Sequence, residues 1–461
     1  MKSLPRPPKL SQVLGPSFIL LGLALGSGEL ILWPYLAANY GLGLIWGALL
    51  GITFQFFLNL AIMRYTLVWG ESIFVGFWRL WRWWPLWFIL STFVPWSLPG
   101  FSSASTEIFC RLAGGCTDSV KLGLALATLI LTGLILSLGR TLYQTMELIQ
   151  RTIIIIGIPL ILGLVFSLTR YSDWVDLAWG LVGRGDHWWF FPAGVSLASF
   201  LGAFAYSGAG GNLNLAQSYY VKEKGLAMGR YGAKISSLIR AKPGPVKLKG
   251  ETFPLTRSNL ARFRRWWRLV VIEHGLVFWF LGLMTIILLS LLAQSLVFGQ
   301  ASQQGIEFLF QEAQAIAIRS THGWLGRLFL LLAGLMLYST QLGVLESSSR
   351  IISENLVLLR VGSDQKEVKA NLSLWFYAAL WGQITLGAII LLFGLTEPRF
   401  LLTLAAVLNA LAMTLLFPLV IVLNRRRLAP PLRPSLGAQL ILVGALIFFL
   451  IFSLSLVRSW S

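Results

Sequence analysis

Charged side chains are what this sequence is shortest of. Asp, Glu, Lys and Arg make up 12% of its 461 residues, while 56% are hydrophobic. A soluble domain carries roughly 25% charge, so most of this surface cannot face water and its solvent is lipid. Histidine is scarce, with three copies (His187, His274 and His322). No HExxH, paired Cys/His set or nucleophile-elbow pattern occurs, so metal hydrolysis and acyl transfer are set aside, the chain is read as a non-enzyme, and no cofactor is expected. The two cysteines, Cys110 and Cys116, match no common zinc spacing, which leaves a loop disulfide open. Acidic residues number 18 against 37 basic ones, a net charge of +19. The basic residues lie between apolar stretches, without any zinc-finger or RNA-binding pattern, so they read as membrane topology and not as a nucleic-acid surface.

What is abundant is apolar runs of membrane-spanning length. Spanning takes about 20 residues, and about eleven stretches qualify: 13–39, 43–66, 85–110, 120–139, 149–169, 190–221, 269–297, 324–346, 372–394, 400–423 and 435–457. The expected fold is an all-α integral membrane protein, one multi-pass transmembrane domain over 1–461. The first apolar segment is too long for a signal-peptide core and reads as a retained span. Pro95 and Pro99 interrupt the third, which neighbouring helices can accommodate. With the N-terminus inside and the C-terminus outside, inner segments hold 29 of the 37 Lys and Arg. A cytoplasmic tail (1–12) and a basic cytoplasmic loop (222–268) follow, the loop carrying 13 of those charges against Glu223 and Glu251. That loop is read as a topology determinant, with anionic-lipid binding as the lesser alternative. Trp81, Trp83, Trp84, Trp188, Trp189, Trp266 and Trp267 fall at span ends as interfacial anchors. In 303–318 the apolar residues recur at helical spacing, predicting a helix lying on the outer surface.

Two spans are interrupted where a plain anchor would gain nothing. The first holds Gly26, Ser27 and Gly28 in mid-span with the carboxylate Glu29 directly after. The sixth holds Ser207, Gly208, Ala209, Gly210, Gly211 and Asn212. Glycine readily leaves helical geometry, so both stretches predict unwinding. Opened backbone at mid-membrane is tolerated where it lines a cavity, and half-helix ends bring partial charges there. Spans one and six begin two successive five-span blocks, and paired interruptions at matching places point to an inverted repeat, five plus five plus one. Close helix packing is the plainer use of such glycines. Glu29 reads as a cation ligand or proton carrier, with a helix-capping role as the structural alternative. Weaker candidates for proton coupling are Glu107, Glu273 and His274, all placed near predicted interfaces. Gln341, Glu346, Gln383 and Asn409 are further polar residues that either line the cavity or join helices.

At these two segments the chain resembles the Nramp family of proton-coupled divalent-metal transporters, which have the leucine-transporter type of inverted-repeat fold. GSGELILWPYLAANYG aligns with the family's Asp-Pro-Gly-Asn motif and the Tyr-Gly pair that follows it. The Met-Pro-His-Asn-Leu motif falls on Ala209, Gly210, Gly211, Asn212 and Leu213. The resemblance implies a metal site at these places, yet the family's metal-binding Asp is Gly26 here, its Asn is Glu29, its Met is Ala209 and its proton-linked His is Gly211. Gly28 and Asn212 are retained. Loss of the soft sulfur ligand favours harder cations such as magnesium or manganese.

The resulting expectation is a secondary transporter that moves a small ion, a divalent metal cation with altered selectivity, by alternating access within the lipid bilayer, with protons as the candidate coupling ion. The substrate-binding set is Gly26, Ser27, Glu29, Tyr206, Ala209 and Asn212, with Glu29 and Asn212 as metal ligands. The alternative is a carrier of bicarbonate or another small anion, held by the amides of the GAGGN turn.

Overall fold

The computed structural model describes residues 2–138, 142–232, 248–300, 305–361 and 372–460. Among them there is one isolated bridge, Arg184 with Trp189, and otherwise helix and loop. In lipid a helix satisfies its backbone polar groups internally, and these sequences leave few other choices.

Among the described residues nine helices are long and apolar enough to cross a membrane: Pro16–Tyr40, Leu42–Trp69, Asp118–Leu138, Tyr143–Leu168, Arg257–Val297, Trp324–Arg360, Leu372–Leu392, Pro398–Arg427 and Leu436–Leu456. They coincide with nine of the expected spans, numbered one, two, four, five and seven to eleven. Expected spans three and six are each built from two shorter helices: Trp84–Trp96 with Gly100–Leu112, and Leu197–Ala205 with Leu213–Lys224. Pro99 stands at the junction in span three. The chain is a multi-pass integral membrane protein.

Spans one, two, six and eight sit at the centre and are buried along much of their length, whereas spans four and eleven present Leu131, Leu134, Leu440, Ile447 and Ile451 outward. At one end the basic segments come together. The Arg262 guanidinium donates to Leu4 O, the Trp266 indole to Pro5 O, the Trp69 indole to Arg427 O and the Gly250 amide to Glu71. At the opposite end Leu42 N donates to Gln294, Tyr40 to Gly194 O, and Ser295 to Asp173. Cys110 and Cys116 lie at that second end and are disulfide-bonded.

Several expectations are corrected. Span seven starts at Arg257, so part of the basic loop is helix, continuous with the span. Lys222 and Lys224 belong to the second half of span six. Lys234, Arg240, Lys242 and Lys247 lie outside the described residues, as do residues 303 and 304 of the expected surface helix. That helix runs Glu307–Arg319 and buries Phe308, Leu309, Phe310, Ala313 and Ile316. Trp81, Trp83 and Trp189 are about half exposed, as anchors should be, but Trp266 is buried and spends its indole N–H on the N-terminal segment.

Candidate functional site

The irregularity in span one takes a milder form than unwinding. Leu25–Leu32 is π-helical, between Pro16–Ala24 and Trp33–Tyr40. The wider turn still hydrogen-bonds its backbone, and such turns recur at functional sites. Gly28 is the contact point with span six: a Cβ there would sit 1.7 Å from the carbonyl oxygen of Tyr206. No side chain can occupy that position, so the two interrupted segments touch because residue 28 is glycine.

Span six is opened. Helix stops at Ala205 and resumes at Leu213, and Gly210 (φ +74°) and Gly211 (φ +50°) adopt left-handed backbone. Gln55 of span two holds the opening. Its Nε2 donates to Ala205 O at 3.0 Å, and its Oε1 accepts from Gly210 N and Asn214 Nδ2, both at 3.1 Å. Ser207 accepts from the Trp33 indole at 2.9 Å, a second tie to span one. The Tyr206 ring stacks on Trp96 of span three, centroids 5.5 Å apart, and its hydroxyl accepts from Asn409 Nδ2 of span ten at 3.1 Å.

The predicted ligands are buried around this junction and face different walls. Glu29 is 0% exposed. Its Oε2 accepts from Thr285 of span seven, while Oε1 has no partner. Sitting inside a continuous helix, it caps no half-helix. Asn212 is buried too, donating through Nδ2 to Ser91 (2.8 Å) and Thr92 (2.9 Å) of span three, with Oδ1 unpartnered. Gly26 packs on Thr340 of span eight, and Ala209 is 1% exposed. The Ser27 side chain lies outside the described residues. Buried acceptor oxygens also lack partners at Asn214, Gln341 and Asn409. The neighbourhood is thus richer in unsatisfied acceptors than in unsatisfied donors. Among the described residues no group of three or more His, Cys, Asp or Glu is placed to hold a metal.

The weaker candidates are dispersed. The sequence places Glu273 and His274 near an interface, but they are 1% and 0% exposed because span seven continues past them in both directions. Glu273 caps span one, accepting from Gly15 N, Ser17 N and the Ser17 hydroxyl at 3.4, 3.2 and 2.6 Å. His274 lies between Phe56 and Phe278, with Nδ1 2.8 Å from the Ser17 hydroxyl. Glu107 lines a different cavity, of about 750 Å³, at the end opposite the basic segments. Glu346, read as a cavity candidate, is engaged instead by the fully buried Arg350, which also pairs with Glu223 and so locks span eight to the second half of span six. Gln383 accepts from Ser348 and Ser349. The sequence reading missed Gln55 and Thr285; their signal was a polar residue in mid-span.

No family model and no curated protein matches the sequence. Solved structures do match. The manganese transporter of Eremococcus coleocola, in complex with an aromatic bis-isothiourea substituted compound, gives a TM-score of 0.70 at 12% identity over 98% of this chain and 88% of that one. A mutant of the same transporter gives 0.68 at 13% identity, covering 97% and 88%. A nucleobase-cation-symport-1 family transporter, closed with bromovinylhydantoin bound, gives 0.52 at 12% identity, covering 98% and 94%. At such identities the likeness is one of fold: the chain has the all-α membrane fold of leucine-transporter type that its two glycine-rich segments pointed to.

Proposed function

We propose that the chain is a secondary transporter that moves a small hard cation, magnesium or manganese, by alternating access, with Glu29 as the carboxylate that meets it. The observation that carries this reading is Glu29 Oε1, a fully buried carboxylate oxygen with no partner. An ionised carboxylate in the bilayer interior costs several kcal/mol unless it is neutralised. A proton or a cation supplies that neutralisation, and exchange of one for the other is the elementary step of a proton-coupled carrier. Magnesium suits the site because it keeps several waters and needs one or two carboxylates. The unpartnered Oδ1 of Asn212, on the opened segment of span six, is the proposed second ligand. Proton coupling through Glu107, Glu273 or His274 draws less support, since Glu273 is a helix cap and Glu107 is elsewhere.

The anion alternative draws less support as well: the Gly210 amide is already donated to Gln55, and the unpartnered side-chain oxygens repel an anion. The N-terminus is assigned to the cytoplasm on two grounds, the positive-inside rule and the disulfide at the end away from the basic segments, where oxidising conditions suit it. Flux into proteoliposomes with a panel of divalent metals and anions tests the proposal. Uptake of magnesium or manganese that rises with an inward proton gradient is expected; uptake of labelled bicarbonate with no divalent-metal flux overturns it.

A further inference from the structure

At the basic end a cavity of about 740 Å³ opens where the end of span two, the short helix Ile73–Leu80 with its following turn, and the end of span ten converge. Arg79, Arg82, Lys249 and Arg427 line it together with Trp69 and Trp81. These cations come from three distant parts of the chain, whereas a topology signal needs only charges somewhere on the face. Their frame is built. Arg79 grips Glu71 at 2.6 and 2.9 Å, and Glu71 also accepts from the Tyr65 hydroxyl (2.6 Å) and Gly250 N (2.7 Å), which anchors the Lys249 loop. Arg427 Nη2 donates to Arg79 O at 3.0 Å, and the Trp69 indole to Arg427 O at 3.3 Å. The four charged residues that line the cavity are all basic.

Its other side is apolar. Trp81 is 54% exposed, and beyond it Leu86, Leu90 and Val94 are exposed by 45%, 55% and 50% at a spacing of four residues. That spacing makes a single stripe down the outer face of span three. A phosphate held by the cations would leave an attached acyl chain lying along this stripe, with the tryptophans at headgroup depth. We propose that this cavity binds the phosphate headgroup of an anionic membrane lipid. The site lies apart from the transport junction and goes beyond the transport reading.

The test uses the full chain in phosphatidylcholine bilayers with labelled phosphatidylglycerol as probe. Each Lys or Arg near an anionic surface contributes such that loss of two weakens binding about thirtyfold. Arg82→Gln with Lys249→Gln is expected to show that loss. Arg264→Gln with Arg265→Gln, which removes the same charge from an exposed part of span seven at the same end, leaves binding unchanged, and millimolar inorganic phosphate displaces none of the probe. Equal loss in both double variants overturns the site in favour of general surface charge, and full displacement by phosphate overturns the lipid in favour of a soluble anion. The wild type gives a reading independent of the variants: native mass spectrometry should retain phosphatidylglycerol over phosphatidylcholine, and equal retention contradicts the proposal.

Discussion

Glu29 and Gly28 are adjacent in sequence and do opposite things. Gly28 matters for what it lacks, since its Cα passes so close to Tyr206 that a methyl group would overlap the carbonyl. Gly28→Ala is therefore expected to destabilise the fold by at least about 1–3 kcal/mol, the usual penalty of overpacking, read as a lowered midpoint of thermal unfolding in detergent. An unchanged midpoint would mean that spans one and six do not touch there. Glu29 matters for an oxygen left without a partner, and Thr285 is the hydroxyl that aims it. If Glu29 is the ligand proposed above, Thr285→Val removes the hydroxyl that orients it, a loss that typically weakens metal affinity by about 10 to 100-fold. Titration of magnesium and manganese into the purified variant checks this, and undiminished affinity would remove Thr285 from the site.

At the scale of elements, sequence reading locates the irregular segments and misjudges one of their shapes. Ser207–Asn212 is open as expected, because consecutive left-handed glycines cannot continue a helix and Gln55 gives the freed groups partners. Gly26–Gly28 reads the same way in sequence. Yet only the glycines' neighbours decide between an opened and a widened helix, and those come from spans six and eight. Gln55→Leu would leave Gly210 N and Ala205 O without their partner, and Asn214 Nδ2 with Gly211 O alone. Each such buried loss costs about 1–3 kcal/mol, so the variant should unfold earlier and expose the second half of span six to amide exchange. Protection equal to wild type would show that the opening is held by other contacts. In sequence Glu273 reads as near an interface, because the basic stretch Arg257–Arg268 ends just before it. Folding carries the helix on through that basic stretch, and the carboxylate is buried as the cap of span one.

Over the whole molecule, the order of the long apolar runs is legible because lipid leaves the backbone little alternative to helix. The pairing of buried polar groups was not. Glu346 with Arg350 and Glu223, or Asn212 with Ser91 and Thr92, depend on which helices become neighbours, and residue spacing does not encode that. Orientation is open to a direct check: after reduction, Cys110 and Cys116 should react with a membrane-impermeant thiol reagent added outside intact cells. Labelling only after permeabilisation would reverse the assigned topology.

The most direct measurement is divalent-metal flux into proteoliposomes for wild type and Glu29→Gln at matched protein and proton gradient. Transport by wild type that falls to the background of protein-free liposomes in the variant is the predicted result. Metal flux that persists undiminished in Glu29→Gln would contradict a cation path through the junction of spans one and six.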